Sequence, residues 1–217
     1  MEPSGQTYLT VCGGFRHPTK KISEIKKIFF INNLFICLRG DIKLAHVFMR
    51  IRINTYGCTQ NQSDSELMSG LLLQEGHEVV GENQQLTIVN TCTVKTPTER
   101  KIRRRLDELA ELGDPVLVAG CMPAADPTLV EDYPSFSFIG VNSVDVCEAV
   151  ESILCGKRFV CIRGGEDKLG FARAKKNPYV GVIPISEGCL GSCTYCLTSK
   201  ARGRLKSYAP DKLVCEV

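Results

Sequence analysis

An α/β fold built round a parallel sheet is predicted from Met49 onward, and three observations predict it. Short β-branched runs alternate with helix-length stretches, the pattern of successive βα units. Two of those stretches open on residues that cap helix N-termini, Ser63 with Glu66 and Thr96-Pro97-Thr98-Glu99. The composition, 43% apolar and 24% charged over 217 residues, is that of a globular chain long enough for one full domain and part of another.

The elements follow in order. Arg50 to Tyr56 reads as the first strand, then a helix opening at Ser63 with Leu67 and Leu71 on its buried stripe and ending near Gly76. Leu86 to Asn90 is the second strand. The helix that opens at Thr96 places Ile102, Leu106 and Leu109 on one face, with Arg100, Arg103 and Arg104 turned outward. A strand from Val116 to Ala119, a short helix from Pro127 to Glu131, a strand from Phe136 to Gly140 and a helix from Ser143 to Leu154 complete a first domain, 49–156. Residues 157–178 read as a linker holding one strand, Phe159 to Arg163, and a charged, Gly-containing stretch. A strand from Tyr179 to Ile185 opens a second domain, 179–217.

Residues 1–48 show no periodicity and are expected to be an extension, with Met49 the true start. Their apolar run, Ile28 to Leu38, is interrupted by Asn32 and Asn33 and is far shorter than the ~20 residues of a membrane span. It follows four lysines as a signal sequence would, but no small-residue cleavage site comes after it. Twelve cysteines in a chain of this length fit metal-bound thiolates in a reducing cytoplasm better than a disulfide scaffold. The net charge of +3 is too mild to argue nucleic-acid binding by itself.

Two cysteine constellations carry the chemistry. Cys189-Leu-Gly-Ser-Cys193-Thr-Tyr-Cys196 is a CxxxCxxC run beside Gly188 and Gly191, which let the loop curl. Three thiolates so close can hold three irons of a cubane cluster and leave the fourth open to a substrate. A structural zinc site would want a fourth Cys or His, and no histidine follows His77. The second constellation is dispersed: Cys58, Cys92 and Cys121 each stand just beyond a predicted strand, in Asn54-Thr-Tyr-Gly-Cys58, Val89-Asn-Thr-Cys92 and Val118-Ala-Gly-Cys121. The carboxyl ends of parallel strands share one edge, so the three can converge there, again with an open iron; small apolar residues at strand ends are the alternative. Cys147 falls on an apolar helix stripe and reads as core, as do Cys155, Cys161 and Cys215.

A strand-end cysteine trio ahead of a CxxxCxxC, with Thr55-Tyr-Gly-Cys58-Thr-Gln-Asn61 and Asp64-Ser-Glu66, resembles the radical S-adenosylmethionine methylthiotransferase family over roughly Met49 to the end. Gly188 to Cys196 and Ala201-Arg-Gly-Arg-Leu-Lys-Ser-Tyr208 are most similar to its archaeal and eukaryotic branch. The resemblance implies two [4Fe-4S] clusters, on Cys58, Cys92 and Cys121 and on Cys189, Cys193 and Cys196, with S-adenosylmethionine at the second cluster and Tyr195 beside its adenine. It implies methylthiolation of C2 of N6-threonylcarbamoyladenosine next to the anticodon of transfer RNA, with an electron-donor protein as partner and neither membrane nor DNA. Isopentenyladenosine transfer RNA, a ribosomal-protein aspartate, or cluster carriage without turnover are the alternatives. Arg100, Arg103, Arg104, Lys200, Arg202 and Arg204 could meet phosphates or form a solvated face. The family's second domain is a partial (βα) barrel followed by a small RNA-binding β-barrel. This chain reaches only 21 residues past Cys196, so it is expected to hold the truncated start of the partial barrel and to be inactive alone.

Overall fold

The computed structural model describes residues 8–10, 48–93, 96–164 and 167–216. The remainder of the expected extension, with Cys12 and Cys37, lies outside the described residues. Strand β1, Tyr8–Thr10, pairs antiparallel with a strand far along the chain, Arg173–Lys175.

The core is a six-stranded sheet in which every pairing is parallel. Its strands are β2 (Arg50–Thr55), β3 (Glu78–Val79), β4 (Leu86–Thr91), β5 (Val116–Gly120), β6 (Ser137–Ile139) and β7 (Val160–Cys161). They lie in the order β3-β2-β4-β5-β6-β7. The sequence predicts no strand at β3, which is two residues long, and places the strand from Phe159 in a linker; that strand, β7, is an edge strand of the sheet. All residues of β4 and β5 are buried, as in parallel strands covered on both faces.

The strands divide their side chains between two helical layers by the period of two. Ile51, Leu86, Ile88, Leu117, Ala119 and Ile139 pack under α1 (Thr59–Gln74) and α5 (Val146–Leu154). Val89, Val116, Val118 and Phe138 face α2 (Thr96–Leu112), α3 (Cys121–Ala125) and α4 (Leu129–Asp132). Ile102, Leu106 and Leu109 supply the fully buried stripe of α2, as its spacing predicts. Cys147 packs against the first layer, and burial pushes its thiol up to about 12, with the carboxylates of Glu75 and Glu151 adding to the shift.

The first helix differs from its predicted form. It opens at Thr59, directly after Cys58, and Cys58 at its N-cap makes no side-chain capping bond. Ser63 and Glu66 are buried inside the helix instead of capping it, because both faces of α1 are covered. The sheet lies on one side. On the other runs the segment of β8 (Arg173–Lys175), so close that a Cβ on Gly70 would stand 2.0 Å from the carbonyl oxygen of Ala172. Arg173 donates Nη1 to the backbone oxygen and the hydroxyl of Ser63, both at 3.0 Å.

The strand expected from Tyr179 to Ile185 does not form. Tyr179, Val180 and Ile185 are exposed, and no described strand lies alongside to complete a ladder. Pairing begins at β9 (Ser186–Glu187), antiparallel to β10 (Lys206–Ser207), with α6 (Leu197–Arg202) between them and α7 (Pro210–Glu216) after. Among the described residues no helix is long and apolar enough to cross a membrane.

The β6–β7 end of the sheet is fastened by a polar node. Asn142 receives the backbone N–H of Gly140 at 2.7 Å and donates to the carbonyl of Cys161 and to Asp145. Arg163 grips Asp145 through two nitrogens at 2.6 and 2.8 Å. Burial alone would raise the Asp145 carboxyl; the bonds from Arg163 and Asn142 outweigh it and hold the group below its usual range near 3.8. Its contribution is therefore present above that range and is lost as pH falls through the lowered value. Asp145→Asn is expected to cost about 1–3 kcal/mol at neutral pH. The gap in thermal midpoint between wild type and variant should close as pH drops below about 4; a constant gap would contradict this assignment.

Candidate metal centres

The strands that carry Cys58, Cys92 and Cys121 are immediate neighbours in the sheet. Thr55 of β2 lies opposite Asn90 of β4, and Thr91 of β4 opposite Gly120 of β5, so the three chains leave one edge side by side. Cys58 sits at the mouth of α1 and is exposed; Cys92 and Cys121 are buried. The register thus sets the three strand ends beside one another along one edge of the sheet.

Two glycines make the close approach feasible. Gly57 has φ +110°, and a Cβ there would meet the Cβ of Cys92 at 2.4 Å and its sulfur at 2.8 Å. Gly120, at φ +95°, turns the chain into Cys121 where a side chain would strike the carbonyl oxygen of Thr91 at 2.4 Å. Both are in the left-handed region where only glycine is unstrained.

Amide side chains hold the edge in register. Asn61 donates to the carbonyl of Thr91 at 2.7 Å, while its own oxygen stands 3.5 Å from the sulfur of Cys58. Asn90 donates to the carbonyl of Asn61 and to the hydroxyl of Ser65, both at 2.8 Å. Thr91 bonds the carbonyl of Ala119 at 2.6 Å and receives the N–H of Met122 at 3.2 Å. None of these amides and hydroxyls was singled out as a site residue from sequence. Their signal is position: Asn90 and Thr91 are polar residues at an apolar strand end beside Cys92, and Asn61 and Ser65 follow Cys58 in the first turns of α1.

The CxxxCxxC loop curls around Gly191. A Cβ at that position would lie 3.5 Å from the sulfur of Cys189 and 3.8 Å from that of Cys193, which places both thiols about one point. Cys189 Sγ receives the N–H of Gly191 at 3.3 Å, and Cys196 Sγ caps α6 by accepting from Ser199 N–H at 3.4 Å. Such backbone donors stabilise sulfur that carries negative charge. Cys193, Tyr195, Cys196 and Lys200 border an open cavity of about 400 Å³, and Tyr195 is 86% exposed. A second cavity, about 380 Å³, lies at the opposite edge of the sheet around Val116 and Ser137 and contains no thiol. Among the described residues no three Cys, His, Asp or Glu side chains gather round the position of a single metal ion.

The two constellations are joined by buried charge. Glu187, just before the loop, accepts from Lys168 at 2.7 Å and from Arg202. Asp64 on α1 accepts from the same two cations at 2.8 Å each. All four side chains are at most 7% exposed. Tyr208 adds its hydroxyl to Glu187 at 3.4 Å, and burial followed by the nearby Glu187 and Asp64 charges drives that phenol well above its usual range. The burial of Arg202 would lower its affinity for a proton, but Asp64, Cys121 and Glu187 more than reverse that. At Cys121 burial raises the thiol most, with Cys92 and Asp64 adding and Arg202 opposing.

The expected basic face is corrected accordingly. Arg202 is enclosed in this network, and Arg103 is bound by Glu99, Asp126 and Asp132. Arg100, Arg104, Lys200 and Arg204 remain exposed.

Comparison with known proteins places the chain among relatives. The family described as Uncharacterized protein family UPF0004 matches residues 50–139, the sheet with the strand-end trio. A probable threonylcarbamoyladenosine tRNA methylthiotransferase of Pyrococcus horikoshii is 41% identical over 173 residues, covering 76% of this chain and 40% of the relative. The chain belongs to the methylthiotransferase family. Threonylcarbamoyladenosine tRNA methylthiotransferases of Xenopus laevis and Homo sapiens are 38% and 37% identical over 177 residues, 76% of this chain and 32% and 30% of theirs. The chain thus spans about a third to two fifths of the length of these methylthiotransferases, and its parallel sheet is the family's N-terminal domain.

Gly57→Ala tests the packing at the edge. The strained φ and the overlap with Cys92 are expected to cost about 1–3 kcal/mol, read as a lower urea midpoint. A midpoint equal to wild type would show that Cys92 is not pinned as described.

Proposed function

We propose that this chain carries the strand-end cluster site and the cluster loop of a cytoplasmic transfer-RNA methylthiotransferase that modifies C2 of N6-threonylcarbamoyladenosine beside the anticodon. One observation carries the reading: three cysteines on adjacent strand ends and a CxxxCxxC loop are fastened to each other by one buried ionic network.

The donor sets suit iron–sulfur clusters. Each offers three thiols, and each sulfur set is served by amide donors or confined by glycine, as a cluster that presents one open iron requires. Cys58, Cys92 and Cys121 would hold one [4Fe-4S] cluster and Cys189, Cys193 and Cys196 the other. Bound there, such clusters would supply sulfur from the first and, from the second, the electron that splits the sulfonium of S-adenosylmethionine.

The protein's own residues bind, aim and exclude water. Tyr195 stands ready to cover the adenine of S-adenosylmethionine at the cavity mouth, where its ring is exposed. Gly188 and Gly191 let the loop curl, and the lack of a side chain at Gly191 leaves room beside the sulfurs of Cys189 and Cys193. Asn61 and Asn90 hold the strand-end thiols at fixed spacing against α1. Arg100, Arg104, Lys200 and Arg204 are the exposed cations that would meet RNA phosphates. The names of the relatives favour threonylcarbamoyladenosine over the other substrates of the family. An electron-donor protein would complete the system.

Anaerobic reconstitution followed by iron, sulfide and zinc analysis tests the reading. Wild type is expected to bind about eight irons with matching sulfide, two cubanes. Replacing Cys189, Cys193 and Cys196 together with alanine should remove about half of that iron. Zinc without sulfide would sink the proposal at both sites, and loss of all iron from the triple variant would refute separate clusters.

A further inference from the structure

Arg202 lies six positions past the last cysteine of the loop, yet its side chain ends at the other thiol trio. It donates Nη2 to Asn61 Oδ1 at 3.3 Å, and that same oxygen is 3.5 Å from the sulfur of Cys58. Its neighbour Ala201 packs in one small apolar cluster with Cys121 and Ala125, where α6 lies against α3. The guanidinium therefore stands between two of the three strand-end cysteines, anchored from behind by Asp64 and Glu187. With a side chain only 6% exposed, it acts in a medium that screens charge poorly.

From this position we infer that Arg202 is a positioning residue shared by the two metal centres: it seats the CxxxCxxC loop against the sheet edge and sets the reduction potential of the strand-end cluster. The inference rests on the cluster reading above and goes beyond it, since that reading needs only the six thiols. A cluster on three thiolates gains one negative charge on one-electron reduction, and a fixed cation against its ligands favours the reduced form. Lys168 is held by the same two carboxylates but reaches neither Asn61 nor a cysteine in any described bond. The charge that faces the trio thus comes from the loop's own helix, so that seating the loop and tuning the strand-end site are one event.

The test uses the full chain carrying Cys189→Ala, Cys193→Ala and Cys196→Ala, so that only the strand-end cluster is present, reconstituted anaerobically and titrated with dithionite under visible and electron paramagnetic resonance detection. Three further variants are compared in that background: Arg202→Gln, Arg202→Lys, and Arg202→Gln with Asp64→Asn. The last keeps the buried charges balanced, Lys168 against Glu187, and decides the matter if Arg202→Gln alone does not fold. Removal of the cation, alone or with Asp64→Asn, is expected to lower the midpoint potential, while Arg202→Lys stays close to the parent. In the reciprocal background, with Cys58, Cys92 and Cys121 replaced by alanine, the potential of the loop cluster should move much less. Loss of the cluster from the charge-balanced variant but not from Arg202→Lys supports the same role. An unchanged potential in the charge-balanced variant overturns it, as does an equal shift or cluster loss in Arg202→Lys, or an equal shift at both clusters. If the parent takes up no iron at the strand-end trio, it is the cluster reading that fails, a result distinct from each of these.

Discussion

Two carboxylates and two cations, Asp64, Glu187, Lys168 and Arg202, are withdrawn from water together, and the joint between the sheet and the cysteine loop depends on their balance. Each charge alone would be costly to bury; as a neutral set with every head group bonded at least twice, the cost is offset. The arrangement favours fit more than strength. A loop displaced along the sheet would leave a carboxylate facing no cation, a penalty far larger than that of a shifted apolar contact. The network therefore selects one seating of residues 187–202 on α1.

Helix α1 is shaped by this demand. Its buried residues include Asn61, Ser63, Asp64, Ser65, Glu66 and Ser69, an unusual share of polar groups for an interior helix. They are there because the helix is an interior partition, with the sheet on one side and residues 168–187 on the other. Met68 and Leu72 meet the sheet. Asn61, Ser63 and Asp64 bond the incoming chain, so the helix is held by two kinds of contact at once.

The same feature explains what could be read in the sequence. Helix α2 was legible because Ile102, Leu106 and Leu109 answer to a single apolar layer, and the cysteine trio because Cys58, Cys92 and Cys121 each follow a β-branched run. The start of α1 is masked in the sequence because Ser63 and Glu66 match a capping box, whereas Ser63 bonds Arg173 and Val182 and Glu66 bonds Gln62 within the helix; the true N-cap, Cys58, is not a common capping residue. The pairing of Asp64 with Lys168 and Arg202 spans 104 and 138 positions, and nothing local signals it. Arg202 among Arg204 and Lys200 has the pattern of a surface basic patch. Only the three-dimensional register separates the enclosed cation from the exposed ones. Strand β3 and the unpaired run from Tyr179 were missed for a related reason: strand formation depends on a neighbour, which composition alone does not supply.

The unlike distribution of the two thiol trios has a consequence for biogenesis. Cys189, Cys193 and Cys196 fall within eight consecutive residues, so their loop can present three ligands before any tertiary structure exists. Cys58, Cys92 and Cys121 become neighbours only after β2, β4 and β5 have paired through two helical crossovers, contacts of long sequence separation that form slowly. A site at the sheet edge would therefore be a product of completed folding, whereas the loop holds its three thiols together even in an unfolded chain. When the complete polypeptide refolds, the loop would offer its ligands first, and metal taken up at the sheet edge would report that the native topology has been reached.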